Sequence, residues 1–250
     1  MIFYFSATGN SKYVAQKIAN ELNTCAVDIV KCMEDKSFDY NFEKNEVVGF
    51  VSPTYFWGIP KNVKEFLEKI SIKGQSYLFY VSTYGTTTGQ SGQMADKSLK
   101  NGLNIDAMFS VKMPDVWTPF FDLSDKNKVE AINENAEIEI QNVIEQIKNR
   151  VKGNHMNNKV PMFASKLFYK TYPYQSKTSH FTVQDSCIGC KLCEKKCPAK
   201  AIEMKNNKPV WIKKECIMCL GCLHRCPKFA IQYGKNTKKH GQYLNPHTKI

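Results

Sequence analysis

The sequence predicts an α/β protein in which a doubly wound, five-stranded parallel sheet is followed by a second, smaller α+β domain. Three observations carry this prediction. Short apolar, β-favouring runs alternate with helically spaced apolar residues through the first 150 positions. Eight of the ten cysteines crowd between Cys187 and Cys226. Charge divides in the same place: residues 1–150 hold 16 Lys+Arg against 19 Asp+Glu, or −3, whereas residues 151–250 hold 19 against 4, or +15, and these make up the overall +12. With 250 residues, 42% of them hydrophobic, the chain can bury one core of ordinary domain size and a smaller second one.

The elements follow in order. Met1–Ser6 is a strand-like run that ends in the tight turn Ala7-Thr8-Gly9-Asn10-Ser11. Val14, Ile18 and Leu22, with Ala15 and Ala19, then recur at helical spacing, and Asn10 or Ser11 is suited to cap that helix. Further strands are expected at Cys25–Val30, Val47–Ser52, Tyr77–Ser82 and Ala107–Met113, with helices at Asn62–Ile70, Ser91–Leu99 and Lys126–Val151. Strands separated by helices imply parallel pairing, so residues 1–151 are read as one domain.

Residues 152–180 form a boundary segment. From Lys152 to Lys177 there is no acidic residue, yet Met162, Phe163, Leu167, Phe168, Tyr169, Tyr172 and Tyr174 are too apolar for a solvated spacer. An arm packed at the domain junction is expected. Residues 181–234 are the cysteine-dense second domain, and residues 235–250 are read as a polar surface tail.

No apolar stretch is long enough to span a membrane, and MIFYFSATGN lacks the basic start of a secretory signal, so a cytoplasmic protein is expected. In that compartment clustered cysteines read as thiolates on metal rather than disulfides. The basic residues of the second half stand singly rather than in blocks, which argues against nucleic acid and leaves an acidic protein partner or simple solvation.

Two runs give the cysteines their meaning: Cys187-Ile-Gly-Cys190-Lys-Leu-Cys193-Glu-Lys-Lys-Cys197-Pro198 and Cys216-Ile-Met-Cys219-Leu-Gly-Cys222-Leu-His-Arg-Cys226-Pro227. They lie 29 residues apart, and Ala201-Ile202 and Ala230-Ile231 repeat at the same offset, so the domain is an internal duplication. Three thiolates at this spacing wrap one corner of an iron-sulfur cubane, while a fourth followed by proline reaches the other cluster. Zinc takes pairs of thiolates rather than triplets with Cys-Pro. The region resembles bacterial two-cluster ferredoxins over about 50 residues. The resemblance implies one 4Fe-4S cluster on Cys187, Cys190, Cys193 and Cys226, and another on Cys216, Cys219, Cys222 and Cys197. Cys25 and Cys32 lie outside the pattern and read as small core residues. Among the five His, His224 reads as a spacer and the others as solvated.

The turn Ser6-Ala7-Thr8-Gly9-Asn10-Ser11 offers hydroxyls, a glycine and the N-terminus of a helix, a combination that binds phosphate without Lys or Arg. It is neither G-x-G-x-x-G nor a P-loop. It is similar to the S-x-T-G-N-[ST] loop of flavodoxins, in Ser6, Thr8, Gly9, Asn10 and Ser11. With a cradle for a single phosphate, FMN is preferred over FAD. Two later loops, Ser52-Pro53-Thr54-Tyr55-Phe56-Trp57-Gly58-Ile59-Pro60 and Thr83-Tyr84-Gly85-Thr86-Thr87-Thr88-Gly89, emerge at the carboxyl ends of strands, where open α/β sheets bind ligands. The resemblance, over roughly residues 1–150, makes them the flavin-ring contacts. Tyr55 and Trp57 fit either a stacking or a packing role, and Trp117 reads as a domain-interface residue.

The whole arrangement is similar to flavodoxin-ferredoxin fusion proteins of anaerobic bacteria and archaea. That likeness implies an electron carrier between two 4Fe-4S clusters, FMN and a redox partner such as an acidic ferredoxin or flavodoxin, or a reductase. The alternative is a flavin-dependent reductase with a small organic substrate over the flavin.

Overall fold

The structure, a computed structural model, describes residues 1–43, 46–74 and 77–250. Contacts group Met1–Ser6, Asn10–Met113 and Ile132–Lys170 into one unit, and Ala7–Gly9, Pro114–Ala131 and Thr171–Ile250 into another.

In the first unit the apolar run at the chain start becomes β1 (Ile2–Tyr4), followed by α1 (Asn10–Glu21), β2 (Ala26–Asp28) and α2 (Ile29–Glu34). The second strand is shorter than the expected Cys25–Val30. The Asp28 carboxylate accepts the Val30 N–H at 2.8 Å and so starts a helix there. Cys32 therefore lies buried on α2, as expected of a core residue, whereas Cys25 is exposed and corrects that expectation. β3 (Asp39–Asn41), β4 (Val47–Pro53), α3 (Lys61–Lys69), β5 (Ser71–Lys73), β6 (Tyr77–Tyr84), α4 (Ser91–Ser98), β7 (Ala107–Lys112), α5 (Lys126–Lys148, of which the part from Ile132 on belongs to this unit), β8 (Gly153–Asn154) and α6 (Met162–Tyr169) complete the series.

The main sheet runs β2-β1-β4-β6-β7-β8 with every pair parallel. It has six strands rather than five, because Gly153–Asn154 adds a two-residue edge beside Ala107 and Met108. So short an edge carries no apolar run for sequence patterning to detect. β3 and β5 pair separately. All eight residues of β6 are buried, as a central strand covered on both faces requires. Val14, Ala15 and Ile18 of α1 and Ala136, Ile140, Val143, Ile144 and Ile147 of α5 pack with Val51, Phe79, Val81 and Phe109 of the sheet. Burial of each large side chain is worth about 1.5–3 kcal/mol.

The second unit contains α7 (Tyr172–Gln175), β9 (Phe181–Val183), α8 (Leu192–Lys195), β10 (Ile202–Lys205), β11 (Lys208–Trp211), α9 (Gly221–His224), β12 (Ile231–Tyr233) and α10 (Thr237–His240). β9 pairs antiparallel with β12, and β10 with β11. Asn206 and Asn207, both at positive φ, make the two-residue turn of the second pair, the turn chemistry such hairpins prefer. The stretch read as a surface tail buries Thr237, Tyr243 and Asn245. Among the described residues, no helix is long and apolar enough to cross a membrane.

Candidate functional site

The turn after β1 is fixed from both ends. Phe5 donates its N–H to the Val51 carbonyl at 3.0 Å. Gly9 takes φ +103°, a left-handed value that other residues rarely adopt. α1 begins at Asn10, so Asn10 and Ser11 occupy its first turn rather than the cap position expected of them. Thr8, Asn10 and Ser11 are buried. Helical geometry gives the N–H groups of that turn no acceptor within the helix, and the positive end of the helix dipole lies there. The Ser11 hydroxyl shares a 2.7 Å hydrogen bond with Thr83. Asn245 donates its N–H to the Thr8 carbonyl at 2.8 Å, and a β-carbon on Gly9 would lie 2.8 Å from Asn245 Cβ. The turn thus has room for glycine alone.

The two later loops meet each other. Thr54 donates its N–H to the Thr83 carbonyl at 2.9 Å, while Tyr55 and Gly58 exchange backbone hydrogen bonds of 3.0 and 2.9 Å. Between them Phe56 and Trp57 sit at φ +50° and +62°. Two large aromatics in left-handed conformations store strain of a kind that concentrates at ligand sites. Trp57 packs on Phe168 with ring centroids 4.4 Å apart, and Tyr169 donates its hydroxyl to the Ile59 carbonyl at 2.7 Å, so the boundary segment props this loop. Phe5 meets Tyr55 edge-on at 6.3 Å. Gly89, at φ +55°, lies where a β-carbon would stand 2.1 Å from the Trp57 carbonyl oxygen. Gly85 and Thr86 form the open part of the loop, and Thr86 is exposed. Pro53, Thr83 and Tyr84 belong to strand ends rather than loops, and Tyr84 is buried.

Sequence reasoning missed a set of hydroxyls behind these loops. Ser52 and Tyr80 share a 2.8 Å hydrogen bond, Thr54 and Ser82 one of 2.7 Å, and Ser91 donates to Ser82 at 3.0 Å. The available signal was a small polar residue ending each otherwise apolar buried strand, since buried hydroxyls have to be paired.

The eight clustered cysteines divide into two sets. Cys187, Cys190, Cys193 and Cys226 line one cavity. Cys197, Cys216, Cys219 and Cys222 line another. Each set takes three thiols from one run and the fourth from the other. Among the described residues no three His, Cys, Asp or Glu side chains converge on a single-ion site. A tetrahedral zinc would draw four sulfurs to about 2.3 Å from one point; sulfurs arrayed around a cavity fit a wider cubane. The backbone supports thiolates there: Ala201 N–H donates to Cys197 Sγ at 3.4 Å, its repeat counterpart Ala230 to Cys226 Sγ at 3.3 Å, and Met218 to Cys216 Sγ at 3.2 Å. Burial pushes the Cys193 thiol up to about 11 and that of Cys222 well above the ordinary value, so thiolates at these positions call for a cationic core beside them.

His224 is no mere spacer. Its Nε2 meets the Val116 carbonyl at 2.9 Å and Nδ1 meets the Tyr243 N–H at 3.2 Å. A carbonyl only accepts and an amide N–H only donates, which assigns the neutral tautomer with the proton on Nε2. Burial lowers the pKa of this ring to about 4. His240 is likewise engaged, donating from Nδ1 to the Thr118 carbonyl at 2.7 Å. Trp117 packs on Tyr233, with centroids 6.1 Å apart.

Comparison with known families agrees with both halves. A family model described as a flavodoxin domain matches residues 1–142, and one described as a 4Fe-4S dicluster domain matches residues 186–231. A search among curated proteins finds no match to the chain.

Proposed function

Because the chain belongs to the flavodoxin domain family and carries a 4Fe-4S dicluster domain behind it, we propose that it relays electrons between two 4Fe-4S clusters, one bound FMN and a protein redox partner. An electron-transfer role and these two kinds of cofactor follow from the families; the number of clusters, the residues that hold them and the partner are our reading. The observation that carries it is the sorting of eight cysteines into two cavities, each completed by the other run.

When bound, 4Fe-4S clusters take one electron at a time and FMN takes one or two. The chain supplies ligation, hydrogen bonding and shape. Cys187, Cys190, Cys193 and Cys226 would hold one cluster, and Cys216, Cys219, Cys222 and Cys197 the other. The N–H groups on Cys197, Cys216 and Cys226 would stabilise thiolate charge and tune potential. Ser6, Thr8, Gly9, Asn10 and Ser11 would hold the FMN phosphate through hydroxyls and N–H groups. Pro53, Thr54, Tyr55, Phe56, Trp57 and Gly58, with Thr83, Tyr84, Gly85, Thr86 and Gly89, would shape the ring site. The strained Phe56-Trp57 turn sets the geometry of one loop, and Gly89 lets the other approach it.

Anaerobically purified protein should contain about eight irons and one FMN per chain. Zinc in place of iron, or iron without flavin, would refute the combined assignment.

A further inference from the structure

The two cysteine sites are related by duplication but not by surroundings. At the first site Ile188 is 59% exposed and Cys190 is exposed. At the 29-residue offset their counterparts are Ile217, 7% exposed, and the half-buried Cys219. Met218, Leu220 and Leu223 are also buried, where the first run carries Gly189, Lys191 and Glu194.

Other parts of the same unit cover the second site. Tyr172 donates its hydroxyl to the Ile217 carbonyl at 2.6 Å, Cys216 donates its N–H to the Ser176 carbonyl at 3.0 Å, and His224 reaches Val116. Nothing comparable covers the Ile188 end of the first site among the described residues. Charge differs in the same direction but less sharply. Lys191 and Lys228 line the first cavity, where the second has Leu220 and Ala199 at the equivalent positions and Lys196 as the one lysine in its lining. Ile188 is thus an exposed apolar residue on the rim of a cysteine-lined cavity with two lysines.

We propose that the face bearing Ile188, Lys191 and Lys228 is the port at which an acidic one-electron carrier protein docks, and that the second cysteine site is not an external docking site. The inference rests on the electron-relay reading and adds to it which site faces outward and what partner it suits. The exchange is a simple one: an electron leaves the reduced iron-sulfur centre of the partner and enters the Cys187 site, and no bond or proton changes place. Ile188 supplies the dry apolar contact, and the lysines steer an acidic face toward it. The positive charge of residues 151–250, +15 from side chains alone, brings the same partner near from a distance.

The test uses the holoprotein, mixed in a stopped-flow instrument with a reduced acidic two-cluster ferredoxin. Lys191→Glu and Lys228→Glu should each slow the bimolecular rate about fivefold or more at low ionic strength and flatten its dependence on salt, because reversing a rim charge acts on association. Ile188→Ser should slow it at every ionic strength. Lys238→Glu, a matched reversal at an exposed position of α10, should change the rate less than about twofold. Iron content and reduction by dithionite report on intact sites in each variant; if Lys191→Glu loses iron, Lys228→Glu, outside the cysteine triplet, carries the test. Equal slowing by Lys238→Glu, or no slowing by either port lysine, overturns the port and leaves the relay standing. A wild-type protein that dithionite reduces but ferredoxin does not overturns the relay reading, and the port with it.

Discussion

The hydroxyls of Ser11 and Thr83, 72 residues apart, share a buried 2.7 Å hydrogen bond that joins the first turn of α1 to the end of β6. This contact ties the turn proposed to hold the phosphate to one of the loops proposed for the flavin ring. Thr83→Val would leave the Ser11 hydroxyl short of this partner in a dry environment, at a cost of about 1–3 kcal/mol. Adding Ser11→Ala should restore part of the loss, because removing both polar groups is cheaper than orphaning one. Urea denaturation of the three variants checks this. A double variant no more stable than Thr83→Val would show that the pair is not coupled. The same Thr83→Val change should weaken FMN binding at least tenfold, or about 1.4 kcal/mol, in a fluorescence titration.

Gly89 admits no side chain. Alanine there would adopt an unfavourable positive φ and press its β-carbon against the Trp57 carbonyl, whose oxygen lies 2.1 Å from that position. Gly89→Ala should therefore destabilise the protein by more than about 1 kcal/mol. It should also weaken FMN binding by moving the Phe56-Trp57 turn. An unchanged melting temperature would contradict the tight approach of the two loops.

Exchange of the fourth cysteine between runs gives a crossed prediction. Cys226→Ser should damage the site formed by Cys187, Cys190 and Cys193, although it lies in the other run; Cys197→Ser should damage the site formed by Cys216, Cys219 and Cys222. Iron should fall from about eight toward about four in either variant, with one cluster signal lost from the electron paramagnetic resonance spectrum of reduced protein. Loss of the signal belonging to the run that carries the substitution would reverse the assignment.

Tyr169 gives a pH dependence. Burial, with smaller contributions from Tyr80 and Glu68, raises its pKa to about 12. The folded state therefore favours the neutral phenol that donates to Ile59. That stability is fully present below the unfolded value near 10 and is lost as pH rises toward 12. Tyr169→Phe should lose the hydrogen bond but show a shallower fall in stability between pH 9 and 11 than the wild type. Parallel denaturation curves across that range would contradict the buried phenol.

The sequence made the 4Fe-4S dicluster domain legible, because ligand spacing is a local property and the duplication repeats it. The flavodoxin domain was legible for a similar reason: the turn from Ser6 to Ser11 is contiguous. What escaped was long-range. The pairing of Thr54, Ser82 and Ser91 is made across three elements. The propping of Trp57 by Phe168 joins residues more than a hundred positions apart. Asp28 ends the second strand early through a side-chain contact that apolar patterning does not register. The burial of His224 depends on Val116 and Tyr243, which no pattern within the cysteine run could have indicated.

Whether the chain is a carrier or a substrate-specific reductase is a question of turnover. A carrier, once reduced, should be reoxidised by ferredoxins or flavodoxins and show no saturable reaction with one structural class of small oxidants. Turnover with a KM and competitive inhibition would favour the reductase.

Electron passage between the proposed iron-sulfur clusters and the flavin within this chain can be followed by freeze-quenching anaerobic holoprotein after mixing with less than one equivalent of reduced ferredoxin. The iron-sulfur resonance should rise first and then decline at the rate at which flavin absorbance bleaches. Bleaching of the flavin with no preceding iron-sulfur signal, or a stable iron-sulfur signal beside a flavin that stays oxidised, would contradict that passage.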